Sequence, residues 1–238
     1  EEVYIDLVAL PAHFSARIGQ QLLPFGVTNR MHPHDWPWPQ MPLPFATLIG
    51  DHGISDVGAV LNYRVHNPWD KALTVQGGLV SGAFFDTDLS DPSPGWLGRA
   101  EFFDELGAIE LGLGVSAMGL GSQRLEGADL LLRWRGDSWR SVVLIGELIR
   151  EGAQGDSAAG DLGWVGTLQL QPTRPLYLGV RVDGLGKDTG YGGTLSYYTS
   201  EFLRLRLATF TDGDHMRIDG QLTFVWGSHP VEPYWVNR

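Results

Sequence analysis

The sequence predicts an all-β protein, an antiparallel up-and-down β-barrel of the transmembrane type. Three observations predict it. Apolar and polar residues alternate with period two from end to end, the mark of strands with two different faces. The alternating segments number thirteen. Most run about ten residues, the length of a membrane-crossing strand, whereas soluble strands average about five or six. Short connections also alternate with longer ones, as when tight turns lie on one side of a membrane and loops on the other.

The segments follow in order. Segment 2–10 sets Ile5 and Leu7 against Tyr4 and Asp6, and 14–23 carries Arg17 on its polar face. Segments 54–65 and 72–81 follow, the first with Arg64. Segment 97–106 carries Glu101, and 108–117 alternates Ile109, Leu111, Leu113 and Val115 with Glu110, Gly112, Gly114 and Ser116. Segment 126–135 holds Asp129, Arg133 and Arg135, and 140–151 holds Glu147. After 162–171, segment 175–185 alternates Leu176, Leu178, Val180 and Val182 with Tyr177, Gly179, Arg181 and Asp183. Segments 190–199 and 202–211 come next, the second placing Arg204 and Arg206 between leucines. The last, 215–226, sets Ile218, Leu222, Phe224 and Trp226 against Arg217, Asp219, Gln221 and Thr223.

Short turns are expected at Pro11–His13, His66–Lys71, Gly107, Gly136–Trp139, Pro172–Arg174 and Ser200–Glu201. The connections between them are Pro24–Gly53, Gly82–Trp96, Met118–Leu125, Gly152–Asp161, Gly186–Thr189 and Asp212–Asp214, of which the last two are short. The chain therefore reads as one barrel domain over 1–238, with a long Pro/Trp/His loop at 24–53 and a C-terminal tail at 227–238.

A soluble barrel shows the same alternation with its faces reversed. Three features favour lipid outside and charge inside. The segments are long and numerous, and the apolar face is rich in Gly and Ala. Aromatics also cluster near segment ends at Tyr63, Trp69, Trp96, Trp134, Trp139, Trp164, Tyr191, Trp226 and Trp235, as interface girdles do. Composition excludes other classes. With no cysteine there is no disulfide framework, thiolate zinc site or Cys nucleophile. A net charge of −11 argues against nucleic acid, which needs clustered cations.

The stretch Ala16-Arg-Ile-Gly-Gln-Gln-Leu-Leu-Pro-Phe-Gly26 resembles the strand and turn of phosphate-selective-porin-like outer-membrane proteins. Asn29–Asp35, Phe45–Gly53, Ile54–Gly58 and Gln221–Pro230 are similar to a group of bacterial porin-like proteins. Some of that group carry labels of zinc-responsive expression. The resemblance implies a porin fold and a bacterial outer-membrane location. Outer-membrane barrels commonly end on an aromatic residue, whereas Trp235 here is followed by Val-Asn-Arg. Thirteen is also an odd count, and bacterial single-chain barrels close with an even one. The expectation is an odd number of strands before residue 1, making this part of a larger even-numbered barrel, or a strand missed or merged, with an odd barrel closed by a parallel pair as the remaining alternative.

Two constellations are candidates for function. The inner face is expected to carry Arg17, Arg64, Glu101, Asp129, Arg133, Arg135, Glu147, Arg181, Asp183, Arg204, Arg206, Arg217 and Asp219 as lumen-lining residues. Opposite charges on neighbouring strands pair and stiffen a wall, and Arg204 and Arg206 beside Asp219 is the pairing expected. The 24–53 loop holds His32, His34, Asp35 and His52, nitrogen and oxygen donors of the kind that bind Zn²⁺. Flanking prolines favour the simpler role of a rigid loop packed into or over the barrel mouth, where it narrows the pore.

No catalytic residues and no cofactor are predicted. No Gly-x-Ser-x-Gly occurs, the glycine pairs open no helix, and the acidic loop at Asp86, Asp88 and Asp91 lacks the EF-hand order. The expected function is that of an outer-membrane porin-like channel for passive passage of small solutes, and not of an enzyme. Its partners are outer-membrane lipid and small solutes, with a protein partner or a homo-oligomer compatible and nucleic acid excluded. The alternatives are a plugged barrel that holds a partner in a larger membrane complex, and metal binding by the histidine loop.

Overall fold

The computed structural model describes residues 2–32, 35–69, 71–85, 93–136, 139–152 and 160–226. Thirteen strands form one sheet, each paired antiparallel with its sequence neighbours. They are β1 (Val3–Leu10), β2 (Phe14–Leu22), β3 (Ser55–Val65), β4 (Ala72–Val80), β5 (Gly95–Leu106), β6 (Ile109–Leu120) and β7 (Gln123–Arg135). Then come β8 (Ser141–Glu151), β9 (Gly163–Thr173), β10 (Leu176–Leu185), β11 (Asp188–Ser200), β12 (Leu203–Thr211) and β13 (Met216–Phe224). Each expected segment is a strand, with boundaries within three residues of those read from the alternation.

The connections differ from expectation at one end. Met118–Leu125 is not a loop. β6 runs on to Leu120 and β7 begins at Gln123, so a two-residue turn joins them, with Gly121 at φ 56°. Gly supplies the positive φ that such hairpin turns require. Long excursions at this end are thus 23–54, 81–94 and 152–162. The Asp212–His215 turn is held by the Asp212 carboxylate, which accepts the His215 N–H at 2.8 Å and the Asp214 N–H at 3.1 Å. The bond from His215 holds this carboxyl below its ordinary range.

Residues directly opposite in a ladder share a face. The outward face of the central strands carries Leu113 and Val115, Leu148, Leu178, Val180 and Val182, and Leu205 and Leu207, all exposed. The register places Trp96, Trp164 and Tyr191 near the long-loop end of this band, and Tyr63 and Trp134 near the short-turn end.

The sheet is curled around residues 23–54. These contain a one-turn 3-10 helix, Thr28–Arg30, and a short helix, α1 (Leu43–Ile49), within the stretch expected to be loop throughout. Pro at the start of α1 suits its first turn, where a missing N–H costs nothing. Gly50, at φ 80°, ends it. The same segment bonds to β5, β8, β10, β12 and β13, which only a wall wrapped around it permits. β1 and β13 run in the same direction, and no ladder joins them among the described residues.

Candidate functional site: the plugged interior

Asn29 forms the neck of the plug. Its side-chain amide donates to the Leu23 carbonyl at 2.8 Å and the Ile54 carbonyl at 3.1 Å, and its oxygen accepts the Ile54 N–H at 2.5 Å. One buried side chain thus satisfies backbone groups at both ends of the excursion. From this neck Leu23, Phe25, Met31, Trp36, Met41, Phe45, Ile49 and Ile54 turn into an apolar core inside the barrel. The wall answers with Val143, Ile145 and Ile149 of β8 and Val165 of β9. Here the inner face is apolar as well as the outer. The run Ser141-Val-Val-Leu-Ile, apolar on both faces, is the sequence signal of this seat.

Glu147 sits in the middle of that seat, 2% exposed. Its carboxylate accepts the Val27 N–H at 2.8 Å, the Thr28 N–H at 3.0 Å and the Thr28 hydroxyl. Successive backbone N–H groups form a concave anion site, and here the anion is a wall carboxylate. Gly26 is required beside it, because it has φ +63° and a Cβ would overlap Glu147 Oε2. Asp129 lies directly opposite Glu147 in the ladder. The two carboxyl groups sit side by side, each with its own partners. Arg99 binds both Asp129 oxygens, at 2.6 and 2.8 Å, and donates to Ser116 at 2.7 Å. This pair crosses over β6, where Gly114 leaves the space.

Farther round the wall the plug is held by its backbone. Arg206 donates to the Trp36 carbonyl at 2.7 Å and Arg181 to the Gln40 carbonyl at 3.0 Å. The Gln40 side chain donates to Asp219 at 2.6 Å. Arg30 reaches both oxygens of Glu101, at 3.0 and 2.8 Å.

The register places all thirteen residues read as lumen-lining on the concave face. They do not form one continuous lining. Glu147, Arg181, Asp183, Arg204 and Arg206 are buried, several of them beneath the plug. Arg133 pairs with Glu110, Arg135 lies 3.4 Å from the same carboxylate, and Arg181 pairs with Asp183 at 2.9 Å. Arg217 pairs with Asp219 at 3.0 Å, and Arg64 is exposed.

The expected pairing of Arg204 and Arg206 with Asp219 is not made. Register sets Thr223 and Gln221 opposite the two arginines and Asp219 opposite Ala208. Arg204 bonds Thr223, Arg206 bonds Gln221 and Ser196, and Asp219 takes Gln40 and Arg217. Arg99, buried and central to the wall network, was passed over. It lies two residues from Glu101 on the same face, so the period-two rule that selected Glu101 also reaches it.

Three of the four residues read as metal donors are among the described residues. His32 lies 3.2 Å from Glu2, Asp35 is buried and His52 is exposed. Among the described residues no three His, Cys, Asp or Glu side chains converge as a metal site. His34, the acidic loop at Asp86, Asp88 and Asp91, and the 227–238 tail lie outside the described residues.

The plug does not fill the interior. Along β1–β4 a polar cavity of about 410 Å³ remains. It is lined by Glu2, Asp6, Arg17, Arg30, Gln21 and Gln76 among others. Its lining runs from Glu2 and Gln21 near the long-loop end to Val8 and Ser15 near the short-turn end. At about 3.3 Å per residue, that span approaches 20 Å.

No protein-family model matches the chain, and no curated protein matches it. Among solved structures, a "KdgM porin" and a "KdgM porin in complex with disordered oligogalacturonate" are similar to it. Each is 12% identical over 72% of this chain and 94% of the other, with a TM-score of 0.38.

Proposed function

We propose that the chain is an outer-membrane channel that passes small solutes through a loop-constricted lumen, with no chemical step. The observation that carries this reading is the polar cavity running along β1–β4, inside a wall whose outward face is a broad apolar belt. Membrane barrels place apolar residues toward lipid and polar ones toward the lumen. Residues 23–54 act as the constriction. They seat on the β8–β10 side and leave the β1–β4 side as the path. Planar-bilayer recording of the refolded chain tests this. Discrete conductance steps are expected, and correctly folded protein that conducts no ions contradicts the reading.

A second reading is favoured by the seam. In a bilayer core every backbone polar group needs a partner, and β1 and β13 each offer an edge with no ladder between them among the described residues. One strand supplied by a partner and antiparallel to both would give an even, fully antiparallel barrel of the partner-holding kind. A stoichiometric protein copurifying with the chain, together with silence in bilayers until it is added, would favour this reading over a free channel.

A further inference from the structure

We infer that the β1–β4 cavity is selective for uncharged, hydroxyl-bearing solutes of the monosaccharide class; this rests on the channel reading above. Its lining includes two anions, Glu2 and Asp6, and two cations, Arg17 and Arg30. Neither cation faces the cavity unneutralised. Arg17 grips Asp6 through two bonds, at 2.7 and 3.0 Å, and its guanidinium lies 3.8 Å from the centre of the Tyr4 ring. Arg30 is bound by both oxygens of Glu101. Glu2 accepts the Leu22 N–H at 2.7 Å and faces His32. A passing ion therefore meets two closed Arg–carboxylate pairs and one carboxylate, Glu2, that already accepts a backbone N–H, where a selective ring would present charges of one sign.

The other polar side chains that line the cavity, Ser15, Gln21, Asn62 and Gln76, are neutral. Gln76 donates to the Asn62 side-chain oxygen, and both side chains line the cavity. Such a pair of amides offers donors and acceptors together. A hydroxyl both donates and accepts, so it matches this pair, whereas a carboxylate only accepts. The cavity volume lies within the range of small-molecule sites.

The test uses the full chain in planar bilayers under a KCl gradient, and in liposomes swollen with glucose, sodium gluconate or glucosamine hydrochloride. The K⁺/Cl⁻ permeability ratio is expected to lie within about twofold of unity, since no uncompensated ring of charge is present. Glucose is expected to enter faster than either charged analogue. Asp6→Asn exposes Arg17 and should move the ratio toward Cl⁻ by about threefold, and Arg17→Gln should move it as far toward K⁺. Gln76→Leu should slow glucose while leaving the ion ratio in place. Wild-type protein that conducts with a ratio beyond about fivefold either way overturns the inference, as do Asp6→Asn and Arg17→Gln shifts of the same sign. Absence of both conductance and swelling removes the channel reading and this inference together.

Discussion

The two sides of this barrel solve opposite problems with one alternating pattern. On the β8–β10 side the inner face is a core: Ile149 is fully buried, Glu147 is 2% exposed, and plug residues cover both. On the β1–β4 side the inner face lines a polar cavity, with Val60 and Val80 reaching the core, and β1 is exposed on both faces for nearly its whole length. Outward residues differ little between the two sides, with Leu79 of β4 at 59% and Val180 of β10 at 55% exposure. The apolar belt thus sets the environment of the wall as a whole. The inner face alone decides where the plug is seated and where a cavity remains.

The comparison breaks first if the packed side is not a core. Phe45, at 1% exposure, anchors α1. Phe45→Ala is expected to cost about 3–5 kcal/mol, the usual range for truncating a buried aromatic, read as a lowered urea midpoint in detergent or bilayer. The same experiment should show larger conductance, because the plug loses its seat. A second break concerns the belt. Val180 and Arg181 are neighbours on opposite faces, one exposed and one 4% exposed. Val180→Arg should cost about 2–4 kcal/mol in a bilayer-folding equilibrium if the outward face meets lipid at its midplane. For a solvent-facing position the expected change is within about 0.5 kcal/mol.

All thirteen strands were legible because a wall between two environments forces period two on its residues, whatever lies inside. The plug's path was not. Residues 23–54 have no period, and their prolines announce an irregular segment without saying where it goes. The clearest available hint was in the wall, where 141–145 stop alternating because the inner face there is apolar as well as the outer. The role of Glu147 was missed for the same reason. Its partners, Val27 and Thr28, lie 120 and 119 residues away, and no spacing rule connects a loop amide to a distant strand. The Arg204–Asp219 pairing failed on register, since a shift of two residues keeps the face and changes the partner.

Glu147 sharpens the comparison with a smaller effect. Glu147→Gln keeps the shape but turns an amide toward donors that need an acceptor. Loss of the charge-assisted bonds from Val27 and Thr28 should cost about 2 kcal/mol. If the latch positions the plug, the open-channel current should become noisier, while outward and β1–β4 variants leave the noise unchanged. Equal stability and equal noise in Glu147→Gln would show that apolar packing alone holds the plug.

The smallest effect belongs to the open side and is informative because it is small. Asp6 and Arg17 form a two-bonded pair, yet their side chains stay 39% and 35% exposed. Water and salt screen such a pair, and exposed pairs contribute about 0–1 kcal/mol. Asp6→Asn should therefore leave the urea midpoint within about 0.5 kcal/mol of the parent. A selectivity change in that variant then reports a charge uncovered in the path and not a wall that has loosened. Should Asp6→Asn instead destabilise the barrel as much as Phe45→Ala, the β1–β4 side would be a second core, and the solute path would have to lie elsewhere.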